Sequence, residues 1–504
     1  MTSSVALSRN GTSFARFAAC ATVGALTTVA GAVYGNGNLV LSAVPLLVGL
    51  ALVLTWFAPI RIPLLLVTFL SLALDGIGEG PWDSPLSPLA TALVLNLNKT
   101  VPIAALTIPG VVAVCGFLLV IRTHRYLRGS LSDSDQAAAV PLISLKSLAI
   151  SFLAVLLLCG YGLINGGESK MAKVQVQTFV ILLMVAFLYA QALRGMRDYR
   201  LLARLVVAAA CIKSVCALWV VHIVALPFAT SAEGSSFATT HGDSLLFSFA
   251  AVLVIVRFAE RPALNTGLVC LTSAPLLVAG MFANNRRLVW LELAAGLGLF
   301  WMISRRSKLK QFLIRAVILA IPVILLYIGA GWNSQSKVFG PVRTFRSMGD
   351  SEVNSSTMYR ELENFNLMQT MRRSPVLGTG FGHPFDEVIV LPYISMYFGE
   401  YRYMPHNSIL GLWAFCGPLG FSGLMFACLV AAYMGARSYR AAHTPDERTA
   451  AFMTLAAILI YLIHCWGDIG FSERKSIFLV GPALAVAGQL AVSTGAWPRR
   501  SGYR

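Results

Sequence analysis

The stretch Tyr403-Met404-Pro405-His406-Asn407-Ser408-Ile409-Leu410 is where a long polar segment gives way to an apolar helix. Upstream, Asn333 to Met404 is the largest water-compatible piece of the chain. Downstream, the residues stay apolar for about the width of a bilayer. The same contrast holds throughout: the 504 residues are 57% hydrophobic and 12% charged, with a mean hydropathy of +0.72. A soluble domain carries roughly twice that charged fraction.

Apolar runs recur from Phe17 to Val492. A hydrocarbon core of roughly 30 Å takes about twenty helical residues to cross. Segmentation on that basis gives fourteen spans: 15–34, 39–59, a short 62–75, 101–121, 141–162, 174–193, 201–225, 244–258, 264–283, 287–303, 316–332, 405–434, 450–466 and 476–494. The expected fold is all-α, a polytopic helical membrane protein. Eleven helices fill residues 1–332, one large loop 333–404, and three helices 405–504. Arg9 and Arg16 before the first run resemble a signal peptide, but the many later spans favour a retained anchor.

A net charge of +17 raises the question of nucleic acid, and its distribution answers it. With both termini cytoplasmic, 24 Lys/Arg and 6 Asp/Glu fall on the cytoplasmic side, against 14 and 15 on the other. That is the positive-inside bias of a membrane topology, with the large loop on the outer side. No nucleic-acid partner is expected. The nine cysteines are scattered, mostly within spans, with no CxxC, and read as small packing residues.

Four outer segments exceed hairpins: 76–100, 163–173, 227–243 and 333–404. The first, Gly80-Pro81-Trp82-Asp83-Ser84-Pro85, is broken by proline and reads as an interfacial turn. Inside the large loop, Ser356 to Met371 predicts a helix with an apolar stripe of Met358, Leu362, Phe365, Leu367 and Met368. Tyr359 and Arg360 lie in its first turns. Arg372-Arg373-Ser374-Pro375 ends it, and Leu377-Gly378-Thr379-Gly380-Phe381-Gly382 follows. Glycine at alternate positions allows backbone to approach a ligand closely, which makes Gly378 and Gly380 candidate substrate contacts. Neighbouring His383 is another candidate, or an ordinary loop residue.

His406, with Asn407 beside it, stands at the outer membrane edge. A histidine there serves either as an interfacial hydrogen bonder or as a general base near neutral pH. The residues alone leave both open. A second unusual place is Asn284-Asn285-Arg286-Arg287, where two arginines in a tiny outer turn run against the charge bias. Singly, each is explained by snorkelling to headgroups. As a pair they suit a pyrophosphate, since guanidinium forks grip phosphate oxygens bidentately. Lys213 and Glu292 fall within spans, where charge is costly unless paired, and an ion pair is the default expectation. Asp133-Ser134-Asp135 spells a DxD but reads as a solvated linker. No HExxH, GxSxG, Walker A or zinc spacing occurs.

These features together resemble the O-antigen ligase and polymerase superfamily of bacterial polysaccharide assembly, best over Met281 to Gly420. Three motifs carry the resemblance. Asn285-Arg286-Arg287-Leu288-Val289-Trp290 is similar to the family's arginine turn, though Arg-Arg stands where Ser-Arg is commoner. Tyr359-Arg360 followed by Ser374-Pro375-Val376-Leu377-Gly378-Thr379-Gly380 resembles its loop pattern. Pro405-His406-Asn407-Ser408-Ile409-Leu410, with Gly417-Pro418-Leu419-Gly420, resembles its helix start.

The resemblance implies a lipid-linked (GT-C-like) glycosyltransferase acting outside the cytoplasmic membrane. Its donor would be an oligosaccharide on undecaprenyl pyrophosphate and its acceptor a sugar hydroxyl, with no cofactor and no metal. His406 and Arg360 would be catalytic, Arg286 and Arg287 would hold the pyrophosphate, and Gly378, Gly380, His383 and Asn407 would touch substrate. A chain-length regulator is a candidate partner. The leading expectation is a polymerase of repeat units into O-antigen or exopolysaccharide, because the spans outnumber those of ligases. The alternatives are a ligase onto lipid A-core and, from another class, a flippase. A flippase should show two related halves with short loops, and no such repeat is visible.

Overall fold

The computed structural model describes residues 55–74, 108–128, 137–225, 238–304, 308–334, 355–391 and 394–498, with scattered positions elsewhere. The first expected span, most of the second, the proline-broken turn, the Asp133-Ser134-Asp135 linker and most of 333–354 lie outside them. Among the described residues the chain is helical, without strands. The helices are α1 (Arg61–Ala73), α2 (Gly110–Leu127), α3 (Leu142–Ile164), α4 (Ser169–Ala192), α5 (Met196–Trp219), α6 (Gly242–Glu260), α7 (Leu264–Asn284), α8 (Leu288–Ile303) and α9 (Lys308–Gly331). They continue with α10 (Ser355–Arg373), the one-turn α11 (Ile394–Tyr397), α12 (Ser408–Ala441), α13 (Pro445–Gly467) and α14 (Arg474–Ser493).

Nine of these, among the described residues, are long and apolar enough to cross a membrane. The chain is a polytopic all-α membrane protein, and the remaining spans of the fourteen stay an expectation. α1 is indeed short, and α8, expected as a span, has only 16 residues. The chain divides into two compact units, and everything below concerns the larger, Val67–Cys115 with Ala137–Arg504.

α14 is the hub, packing on α4, α12 and α13. Its residues are buried without interruption from Lys475 to Ala491. Helix association in lipid gains nothing from removing apolar surface from water, so close packing has to supply it. The sequence meets that need with Gly481, Ala483, Ala485, Ala487 and Gly488. A Cβ on Gly488 would lie 2.7 Å from Ser144 Oγ of α3. The one amide in this stretch is satisfied: Gln489 donates to the carbonyls of Ala190 and Leu193 at 3.2 and 3.0 Å, and accepts from Tyr199 at 2.9 Å.

α12 carries the break that shapes the loop. Gly417 has φ 58°, and Pro418 has no N–H to return to Ala414. The freed carbonyls of Ala414 and Phe415 accept instead from Thr379 and Gly380 of the loop, at 3.0 and 2.7 Å. The kink thus becomes the docking point of the glycine turn.

Candidate active site

The helix expected over Ser356–Met371 is α10, but its inward face is not the expected stripe. Met358 and Met368 are exposed, while Glu363, Asn366, Leu367 and Thr370 are completely buried. Buried polar groups require partners, and here they organise the chain that follows. Asn366 accepts from the backbone of Val388 and Ile389 at 3.0 and 2.9 Å and donates to Ile389 at 2.7 Å. Thr370 accepts from Asp386 N–H at 2.8 Å. The face is polar because it folds a loop.

Glu363 is the exception that faces the start of α12. Its carboxylate accepts the backbone N–H of His406 at 3.0 Å and lies 3.3 Å from His406 Nδ1. Tyr359, one turn earlier, donates its hydroxyl to Glu363 at 3.4 Å and sits edge-on to the imidazole, with ring centroids 5.4 Å apart. Burial, then the carboxylate, pushes the Tyr359 phenol far above its usual range, so it remains a donor. The His406 side chain is 22% exposed, and its Nε2 makes no hydrogen bond among the described residues. A carboxylate on one ring nitrogen and an open second nitrogen is how an imidazole is oriented to take a proton. Arg360 is half-buried one turn before Glu363, without an ion pair among the described residues.

The start of α12 is fixed from three sides. Asn407 caps it, accepting Leu410 N–H at 3.1 Å. Pro405 packs on Gly411. Ser408 donates to the Asp468 carbonyl at 3.1 Å and accepts from Phe471 N–H at 3.3 Å, joining the turn between α13 and α14.

That turn leads to the arginine pair. Asn285 reverses the chain in the left-handed conformation, φ 53°, which asparagine tolerates better than most residues. Asn284 pins the turn to the start of α6, accepting from Thr239 at 2.8 Å and donating to Ser244 at 3.0 Å. Arg286 is then buried with its guanidinium on His241 Nε2, and His241 pairs with Asp468 through Nδ1. Burial by itself would raise the Asp468 carboxyl, but the His241 hydrogen bond and the charges of His241 and His464 hold it well below the usual range. Arg287 is half-buried at the entry to α8.

The structure therefore links His406, Asn407, Asp468, His241 and Arg286 through one chain of contacts. Gly378, Gly380 and His383 turn elsewhere. Gly380 has φ 86°, and a Cβ there would lie 2.4 Å from Gly162 Cα, so the close approach is to the backbone of α3. His383 Nε2 is 3.0 Å from the Gly162 carbonyl. Lys213 and Glu292 are paired as expected, though with different partners. Lys213 lies 3.5 Å from Asp243, which also holds Lys475, and Glu292 lies 2.7 Å from His464 Nδ1.

Glu363, His241 and Asp468 are the residues that sequence reasoning missed. Glu363 did leave a signal: a carboxylate on the predicted helix, one turn after Tyr359 and Arg360. His241 and Asp468 left none, because each gains meaning only from the other.

No curated protein matches the chain. The family model described as O-antigen ligase (Wzy_C) matches residues 272–425, spanning the arginine turn, α10, the glycine turn, His406 and the α12 kink, and supports the resemblance to the O-antigen ligase/polymerase superfamily over that part of the chain.

Proposed function

We propose that the protein moves an oligosaccharide from a polyprenyl pyrophosphate to a saccharide hydroxyl on the outer face of the membrane, and that repeated transfer polymerises the glycan. Enzymes of the matched family transfer glycans. The observation that carries the reading is the His406–Glu363 pair, which joins the loop helix α10 to the start of α12.

In this reading Glu363 holds the proton on His406 Nδ1, and Nε2 takes the proton of the acceptor hydroxyl. The acceptor oxygen bonds to the anomeric carbon as the bond from that carbon to the pyrophosphate oxygen breaks. The electron pair leaves with the pyrophosphate. General-base catalysis of this kind supplies about 10²–10⁴-fold. Charge grows on the leaving group, and Arg360, Arg286 and Arg287 are the cations that neutralise it. Preorganised donors in such a role are each worth about 10²–10³-fold. His241 and Asp468 position Arg286, and the polyprenyl tail lies between spans.

The test is incubation of the purified protein with undecaprenyl-pyrophosphate oligosaccharide, with products sized on a gel. A ladder of lengths is expected. Transfer only when lipid A-core is added would make the protein a ligase. No transfer, with substrate crossing liposome membranes, would overturn the enzyme reading.

A further inference from the structure

At the end of the bundle remote from His406, three arginines pair with carboxylates. Arg200 lies 2.5 Å from Asp446, with Arg261 3.8 Å from the same group. Arg448 lies 2.6 Å from Glu260, which also accepts from Tyr439 at 2.9 Å. Asp198 accepts the backbone N–H of Arg194 at 2.9 Å. Arg204 and Arg257 have no carboxylate in ion-pair reach among the described residues, and of the arginines in that state they are the two that line a cleft.

Both stand on one cleft. α5 and α7 meet tightly in the half nearer the loop, where a Cβ on Gly280 would lie 2.3 Å from Ser214 Oγ. In the other half a wedge of about 410 Å³ opens between them. Leu253 and Val254 of α6 floor it, and Val207 of α5 and Val269 of α7 wall it. Ser273 at its deep end donates to the Val269 carbonyl at 2.6 Å, so its hydroxyl is satisfied within the helix and the wall stays apolar. From Asn265 to Ser273 the cleft runs about 12 Å along α7.

An apolar wedge open to the bilayer, with two cations at its mouth, has the two ends of a phospholipid. We propose that this cleft binds an anionic phospholipid, with its phosphate between Arg204 and Arg257 and one acyl chain along Val207, Leu253 and Val269. Guanidinium forks suit a phosphate ester. A zwitterionic lipid brings its own ammonium to the two arginines, so a net-negative headgroup is selected. The bound lipid completes the packing of α5 on α7 where no side chain does.

Native mass spectrometry of the detergent-purified full chain, titrated with phosphatidylglycerol or phosphatidylethanolamine, tests this. Phosphatidylglycerol is expected to be retained preferentially, and Arg204→Gln with Arg257→Gln to weaken it by about tenfold or more. Arg437→Gln with Arg440→Gln removes the same charge outside the cleft and should leave binding unchanged. Ala208→Trp, which fills the wedge but keeps both arginines, should also displace the lipid. Equal retention of the two lipids, or undiminished phosphatidylglycerol on the Arg204/Arg257 variant, would mean that the arginines meet only bulk headgroups. Displacement by a polyprenyl phosphate at equal or lower concentration would give the cleft to the carrier lipid and overturn the assignment.

Discussion

At the residue scale, the candidate chemistry rests on a single buried carboxylate. Glu363 is completely buried, and its two oxygens are shared among His406 N–H, His406 Nδ1 and the Tyr359 hydroxyl. Glu363→Gln keeps the shape but places an amide against Nδ1, which favours the wrong tautomer. The expected result is a fall in transfer rate of about 10²-fold or more with little change in donor affinity; a rate within twofold of wild type would remove Glu363 from the mechanism. Asp468 gives a pH prediction. Its carboxyl is held below the usual range in the folded protein, so the unfolded chain binds that proton more readily. The stability it contributes is full above roughly pH 4, the ordinary aspartate value, and is lost as pH falls below it. Thermal unfolding in detergent should therefore fall less steeply for Asp468→Asn than for wild type as the buffer is acidified through this range.

At the scale of elements, two devices seat the loop. One is the α12 kink, which offers the Ala414 and Phe415 carbonyls to Thr379 and Gly380. The other is the polar face of α10, which gathers residues 386–389 through Asn366 and Thr370. Gly380→Ala meets both a positive φ and the backbone of Gly162. It is expected to destabilise the protein by about 2 kcal/mol or more, since the clash is with backbone and not with a flexible side chain. Asn366→Ala leaves the Val388 and Ile389 N–H groups without their acceptor, at a cost of about 1–3 kcal/mol for each group that stays buried. Limited proteolysis should then cut near residue 388 in the variant before the wild type; equal protection would show that the loop is held by other means. α10 also shows where pattern reading errs. Its extent was legible from the Ser356–Met371 sequence, but its buried face was not, because a polar face that bonds to a loop has no hydrophobic period.

At the scale of the molecule, the turn before α4, the start of α6, the α7–α8 turn, the α12 start and the α13–α14 turn gather at one end. Glu168 N–H reaches Gly382 at 2.9 Å, Gln175 reaches Tyr403 at 3.0 Å, and Ser408 reaches Asp468 at 3.1 Å. Arg200, Arg261, Arg448 and their carboxylates mark the other end. A cysteine at exposed Val390 should react with an impermeant maleimide on intact cells, and one at His443 only after permeabilisation. The reverse pattern would invert the topology.

The sequence by itself determined the membrane class, the positions of the helices from α3 onward except the one-turn α11, and the motifs around Arg286, Arg360 and His406. These are one-dimensional properties: a bilayer fixes the length of an apolar run, and a turn or helix start is written in neighbouring residues. Only the tertiary structure decided which residues join the candidate site. Glu363 meets His406 across 43 positions of chain, and His241 joins Arg286 to Asp468. Inside a bilayer, lipid-facing and protein-facing positions are equally apolar. The pattern therefore does not say which helices touch, and a buried charge finds its partner only once they do.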